Sequence, residues 1–472
     1  MKNYIHLKYI LFFILASLFL PSCQKEENLL LPELHIELKD GEYEKVLKDK
    51  RYKASGSVTL LDEHGQLMYV NKLQHFRGRG HYSWQQKKKP YQFRLYNQIS
   101  LLGMQTAQRY CLLQCSNDET CLRNAIALKT SQKTGLGGAD VRHVYLFING
   151  KKQGIYLLTT HIEATMECIG KSDIDVLLYL SGYSEYKQGF ISNNEVAVSI
   201  KHPSKASSQK IDSIKAFYNN FEQAIISPDG MSADETYYSD IIDIASFAKY
   251  YLLQEIFQNQ DACVGSVYLY YLKNENKFYA GPLWDFDLSM NNAHVNIACR
   301  EPNVLWASAL RNEQYGSSRC LGYYLWQHAD FREAVKGCYP EVKEAIEGIA
   351  RDIRAQQITR IGGIATEELF NYLDQRIAFF DWYFNGENDN VELNALFNDG
   401  VIDNKWVKLV VKKGEPTILP KLRKGAFTWG VWQDAETGEQ LIGKQTFEEE
   451  RSISSHWYGY LPIRRSIAHI FQ

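Results

Sequence analysis

The stretch from Asp240 to Asp287 constrains the fold of this chain more than any other. Ile244, Phe247, Ala248, Tyr251, Leu252 and Ile256 recur at helical spacing, which predicts one helix over Asp240 to Gln258 with a single apolar face. Asn259-Gln260-Asp261 breaks it. Val267-Tyr268-Leu269-Tyr270-Tyr271, a polar turn at Asn274-Glu275-Asn276 and Lys277-Phe278-Tyr279 then read as a β-hairpin. Gly281-Pro282-Leu283-Trp284-Asp285-Phe286-Asp287 follows at once. On an extended segment Asp285 and Asp287 would leave from the same face, with Asp261 across the same cleft.

That order suits phosphoryl transfer. The reaction asks a protein for metal ions on the phosphates, cations around them and a carboxylate that positions the attacking hydroxyl. Mg²⁺ is commonly held by one or two carboxylates together with substrate phosphates. Protein kinases use the same sequence of parts: base loop, hairpin, metal-binding Asp. Two Asp flanking an aromatic are equally compatible with structural acids that cap turns or pair with Arg.

The N-terminal half offers cations. Arg77-Gly78-Arg79-Gly80 is a loop where two guanidinium groups and glycine-exposed N–H groups can meet an anion. Lys88 or Lys89 stands at the entry of a strand whose side chains alternate, Tyr91-Gln92-Phe93-Arg94-Leu95. Val58-Thr59-Leu60-Leu61 is a further strand, ended by Asp62-Glu63-His64-Gly65. Ser116 and Glu119 fit a capping box for a helix with Leu122, Ala125, Ile126 and Lys129 on one face, ended at Gly135. Asn149-Gly150 between two apolar runs predicts a hairpin, with Lys151 to Gly154 able to lengthen its loop.

Further helices are expected around Ile211 to Ile226 and over 320 to 385, then a linker at Gly386 to Asn390. Short strands at Val407 to Val411, Thr428 to Trp432 and Ser454 to Leu461 suggest a small β-rich unit. The fold class is therefore α+β.

Taken in order, these segments resemble the CotH (spore coat protein H) family of atypical protein kinases. The matching pieces are Phe76-Arg77-Gly78-Arg79-Gly80 with Trp84; Lys88-Lys89-Pro90-Tyr91-Gln92-Phe93-Arg94-Leu95; Asn117-Asp118-Glu119-Thr120 with Leu122-Arg123-Asn124; Phe147-Ile148-Asn149-Gly150 with Gly154-Ile155-Tyr156-Leu157-Leu158; Asn259-Gln260-Asp261; and Gly281 to Asp287. The resemblance spans roughly residues 70 to 385. It implies a two-lobed, atypical protein-kinase-like domain that uses ATP with Mg²⁺ (or Mn²⁺) to phosphorylate protein Ser or Thr. Asp261 would be the catalytic carboxylate, and Asp285 with Asp287 the metal ligands. Arg77, Arg79, Lys88 or Lys89 and Arg123 would serve the nucleotide side. Two departures stand out. Where the family usually has Glu after the Gly-x-Tyr strand, this chain has Thr159-Thr160-His161, with Glu163 beyond. The residues after Asp287, Leu288-Ser289-Met290-Asn291-Asn292, lack the glycine often found there.

The N-terminus carries an address. Lys2 and Lys8 precede an apolar run, Tyr9 to Leu20, too short to span a bilayer comfortably, and then Leu20-Pro21-Ser22-Cys23. This resembles a lipoprotein signal cut before Cys23, which would carry the lipid. Lys25-Glu26-Glu27 resembles, one position shifted, an acidic export tag of surface lipoproteins. The expected division is a signal at 1–22, a tether at 23–33, the kinase-like domain at 34–388 and an all-β domain at 391–472. The protein would be lipid-anchored in the cell envelope at the outer membrane, touching the bilayer through that lipid alone.

A net charge of −2 leaves no nucleic-acid footprint. With the lipid on one of 9 Cys, the others are expected as buried free thiols. Aromatic residues make up 13% of the chain, mostly core material. Trp429, Trp432 and Trp457 nonetheless leave a glycan-binding C-terminal unit open. Three functions stay in play: a kinase acting on an unidentified surface or envelope protein, a catalytically silent kinase-like scaffold, and a glycan-binding lipoprotein.

Overall fold

Phe76, Phe93 and Tyr110 each have an arginine as a chain neighbour (Arg77, Arg94 and Arg109), and in an extended strand adjacent side chains leave from opposite faces. The computed structural model describes residues 29–162, 175–181, 188–262, 265–293, 297–308, 321–386, 389–397, 406–424 and 428–459. Cys23, the leader and Glu163 lie outside these residues.

Seven strands close into a barrel in the order β1-β2-β3-β4-β5-β7-β6. They are β1 (Glu33–Leu38), β2 (Ala54–Leu61), β3 (Leu67–Gly78), β4 (Tyr91–Ile99), β5 (Ala107–Gln114), β6 (Val141–Ile148) and β7 (Lys151–Thr160). Phe76, Phe93 and Tyr110 lie side by side on β3, β4 and β5 and fill the barrel. The rows on either side, His75–Arg94–Arg109 and Arg77–Gln92–Cys111, belong to the opposite face.

The β6–β7 turn is the short form of the expected hairpin. Asn149 and Gly150 take φ of 49° and 72°, and β7 begins at Lys151. The Asn149 side chain also accepts the Leu38 N–H at 2.7 Å, tying the turn to β1.

Two helix expectations need correction. The helix after β5 starts at Arg123, not at Ser116, and no side chain caps it at Leu122. Asp118 instead takes the Arg123 N–H at 3.0 Å, and Ser116 and Glu119 lie in the preceding loop. The helix predicted over Asp240 to Gln258 is two pieces, Tyr238–Ile241 and Ile244–Ile256. Asp243 divides them, because its carboxylate caps the Ser246 N–H at 2.8 Å and restarts the helix.

The second hairpin, β11 (Val267–Leu272) and β12 (Lys277–Ala280), joins β8 (Val176–Ser181), β9 (Gly189–Ile191) and β10 (Ala197–His202) in the order β12-β11-β8-β10-β9. The helix Ser208–Ile226 covers this sheet, with Phe217 and Phe221 against Phe278. The helices Ala329–Arg354 and Ile364–Asn385 complete the helical part. From the second of these, fully buried Arg376 donates to the carbonyls of Glu255, Ile256, Pro302 and Val304.

A third sheet contains β13 (Val304–Leu305), β14 (Asn390–Leu396) and β15 (Trp406–Lys412), followed by the strands of 423–459. Val304 pairs with Leu409, so the C-terminal sheet takes a strand from the middle of the chain. Cys299, Val304 and Trp306 share one core with Leu393, Leu409 and Trp432. The architecture is mixed α and β. The expectation of free thiols fails at one pair: Cys115 and Cys121 form a disulfide, while Cys111 and Cys299 are buried thiols. Among the described residues no helix is long and apolar enough to cross a membrane.

Candidate active site

Backbone hydrogen bonds bring the acids together. The helix Ile244–Ile256 ends in a tight turn with Gln258 at φ 43°, and Gln260 N–H donates to Leu288 O at 3.1 Å. Met290 N–H donates to Phe257 O at 2.7 Å. The segment after Asp287 is thus laced to the segment before Asp261. From the other side, the Asn124 amide oxygen accepts the Phe286 N–H at 2.8 Å, and Arg123 donates to Ser289 O and Met290 O.

Asp285 and Asp287 do not sit on a strand as expected. Asp285 takes φ 70°, a left-handed conformation unusual for a residue with a side chain. The carboxylates converge all the same. Burial, then the neighbouring Asp285, hold the Asp287 carboxyl well above the ordinary carboxylate range, at about 7, and Asp261 and Asp118 push in the same direction. The Asn117 amide opposes them by donating to Asp287 Oδ2 at 3.1 Å. Ser266 Oγ donates to Asp285 Oδ2 at 3.1 Å.

The predicted cations divide into four groups. Arg79 lies over the Trp284 ring at 5.4 Å, beside the acids, and its field reaches Tyr179 together with that of Asp285. Arg77 lines a basic cavity with Arg94 and Arg109. Lys88 and Lys89 are drawn to the backbone: Lys88 Nζ donates to Ile155 O at 2.6 Å and Lys89 Nζ to Trp84 O at 2.6 Å. Arg123 is buried, with Nη1 on Asp118 Oδ1 at 2.6 Å and its remaining nitrogens on backbone carbonyls. The geometry makes Arg123 a brace between the 118–124 segment and the 289–290 segment.

Among the described residues, no group of three or more His, Cys, Asp or Glu side chains is placed to hold a metal alone. Asp285 and Asp287 supply two hard oxygen donors, and a carboxylate that retains a proton to about pH 7 marks a local demand for positive charge.

Residues 76–353 match the family model for the CotH kinase protein. The chain belongs to this family. Two solved structures resemble this CotH-family chain more distantly. A Helicobacter pylori proinflammatory kinase, CtkA, matches with 12% identity and a TM-score of 0.30 over 62% of this chain and 93% of its own. The Shewanella oneidensis HipA–HipB toxin–antitoxin complex with operator DNA matches with 10% identity and a TM-score of 0.26 over 62% and 66%. A comparison with curated proteins finds no relative.

His161 follows the last residue of β7 and is part-buried there. Burial, then Arg109 and Arg79, push that imidazole down to about 3, so it is neutral across the physiological range. Sequence reasoning missed Asn117 and Ser266 as carboxylate partners, because nothing local links 117 to 287. It also missed the basic row on the barrel, although the alternation of His75 and Arg77 about Phe76 carried the signal.

Proposed function

We propose that this CotH-family chain is an envelope-anchored atypical protein kinase that transfers phosphate from ATP to a Ser or Thr of a surface or envelope protein. Family membership supports the kinase part. The convergence of Asp261, Asp285 and Asp287 is the observation that carries it. The barrel would act as one lobe and the helical part as the other, with the acids at their junction. The lipid on Cys23 would hold the protein at the membrane.

Asp285 and Asp287 would hold Mg²⁺ or Mn²⁺, which would supply positive charge against the phosphates. Within the chain, Asp261 orients the acceptor hydroxyl and takes its proton. Asn117 and Ser266 fix the rotamers of the two metal carboxylates. Arg79 stabilises negative charge from the barrel side.

The test is ATP binding by calorimetry on the full chain in detergent, with Mg²⁺ or Mn²⁺, beside Asp285→Ala. Metal-dependent binding that disappears in the variant supports the reading. An absence of binding with either metal, in folded protein, sinks it in favour of a silent scaffold.

A glycan-binding role draws on one observation. Trp429 is 55% exposed and stacks with Tyr458 at 6.5 Å, offering a flat aromatic surface. Trp432 and Trp457 do not join it: their indole N–H groups donate inward to Pro420 O and Phe397 O.

A further inference from the structure

A disulfide closes the loop that leads from the barrel into the helix Arg123–Lys133. Cys115 follows the last residue of β5, Cys121 stands two residues before the helix, and their Cα atoms lie 5.2 Å apart. Asn117 and Asp118 are inside the ring. The Asn117 amide donates to Asp287 Oδ2 at 3.1 Å, and the Asn292 amide donates to both Asn117 O and Asp287 O at 2.6 Å. Asp118 takes the Arg123 N–H and Nη1. Just past the ring, Asn124 Oδ1 accepts the Phe286 N–H at 2.8 Å. The segment that carries Asp285 and Asp287 is therefore held from the ring and from the helix turn that follows it.

The ring itself is neither helix nor strand. Backbone hydrogen bonds from Asp118 N–H to Cys115 O and from Cys121 N–H to Asp118 O shape it. Ordering the backbone of one residue costs about 1–2 kcal/mol in entropy, and a side chain held in one rotamer adds to that. A hydrogen bond to a charged group, worth about 1.5–3 kcal/mol, does not order several such residues by itself. A covalent ring removes much of that freedom before the hydrogen bond forms. Cys121 also takes φ 55°, unusual for a residue with a side chain, and His143 Nε2 holds it there by donating to Cys121 O at 2.8 Å. Cys115 continues a barrel strand, so the bond between the two cysteines ties Asn117 to fixed points on either side.

We propose that the Cys115–Cys121 disulfide is a positioning element of the metal site: it keeps Asn117 on Asp287, and opening it weakens divalent-metal binding while the fold persists. This role rests on the reading of Asp285 and Asp287 as metal ligands. A neutral amide on one carboxylate oxygen fixes the plane of the group without taking its charge, and groups that orient a ligand in this way are worth about 10–100-fold in metal affinity. Arg123 braces the neighbouring stretch through Asp118 and the carbonyls of Ser289 and Met290, and it keeps the fold when the ring is open. A dithiol opens the ring by thiolate attack on Sγ of Cys115, which is partly exposed where Cys121 is buried. The electron pair of the broken S–S bond leaves with Cys121, which takes up a proton. The second thiol of the reagent then displaces Cys115 in the same way and closes the reagent into a disulfide.

The experiment is a titration of the full chain in detergent with Mn²⁺ alone, followed by electron paramagnetic resonance, with a melting curve beside each sample. C115A/C121A is expected to bind Mn²⁺ about tenfold more weakly than the parent, at the lower end of the range for groups that orient a ligand. Asn117→Ala is expected to lose about as much, and the triple variant no more than Asn117→Ala alone, because the disulfide acts through that residue. The parent opened with dithiothreitol, and freed of the reagent before titration, is expected to show the same loss and to regain affinity on reoxidation, while C115A/C121A no longer responds to the treatment. The reduced parent carries the test should the double variant fail to fold. Unchanged affinity in the folded double variant or in the reduced parent, or losses that simply add in the triple variant, would overturn the proposal and leave the metal reading standing. A folded parent that binds no Mn²⁺, or an Asp285→Ala variant that binds it as the parent does, would overturn the metal reading and this role with it.

Discussion

Two clusters of like charge stand in this molecule, and they are stabilised differently. The acids Asp261, Asp285 and Asp287 sit among groups that hold them in place. Asn117 and Ser266 donate to two of them, and a proton remains on Asp287 to about pH 7. On the barrel face, His75, Arg77, Arg94 and Arg109 crowd one another instead. His75 is kept neutral and the Arg94 Nε–H lacks an acceptor. In the acidic cluster, charge is partly relieved by a proton on Asp287 and by two neutral donors. On the basic face the cations lower one another's proton affinity instead, and burial adds to the effect.

The sharpest way to break the comparison is at the acids. Asp261→Asn and Asp285→Ala should each lower phosphoryl transfer by about 10²–10⁴-fold, the usual range for a positioned acid–base group. Thermal unfolding should show little change, because both side chains are partly or well exposed. Initial rates on a protein substrate, beside melting curves, check this.

Next in size is Arg123→Ala. It leaves Asp118 buried without its partner and releases the carbonyls of Ser289 and Met290. Breaking a buried pair from one side costs about 3–5 kcal/mol, measurable by denaturant unfolding. A comparable loss at Arg94 is not expected, since Arg94→Gln removes repulsion as well as a hydrogen bond.

The clusters should also part in their response to pH. Metal must displace the proton on Asp287, so affinity for Mn²⁺ should rise as pH increases toward about 7 and level off above it. His75 works on stability instead. Its folded value, about 4, lies below the unfolded one, so the unfolded chain binds more protons between these values. The stability it contributes is complete above pH 6.5 and is lost as pH falls toward 4. His75→Gln should flatten that limb of a stability–pH curve.

The smallest effect belongs to Lys88→Met and Lys89→Met. Each ammonium donates to a backbone carbonyl and lies over an aromatic ring, Tyr156 for Lys88 and Trp84 for Lys89. Each loss should cost about 1 kcal/mol of stability and leave ATP affinity within a few-fold, read by unfolding and by calorimetry.

Much of the fold was legible wherever a signal is local. The Asn149-Gly150 turn, the hairpin after Asp261 and the alternating strand at Tyr91 all follow from short-range chemistry. The Ser116–Glu119 box misled because Asp118, which lies between the two and inside the loop closed by Cys115 and Cys121, takes the Arg123 N–H group instead. At the site, the order of Asp261, Asp285 and Asp287 could be read, while their partners could not. Asn117 reaches Asp287 across 170 residues, and the pairing of His75, Arg94 and Arg109 requires the register of three strands.

The short strand Val304–Leu305 has a consequence in time. Its partner Leu409 and the strands beyond it leave the ribosome about 100 residues later, after several seconds at ordinary rates of synthesis. Until then the part of Val304 and Trp306 that packs with Leu393, Leu409 and Trp432 has no cover. The central part of the chain cannot close its core vectorially, and must wait, partly open, for the last fifth of its own sequence to arrive.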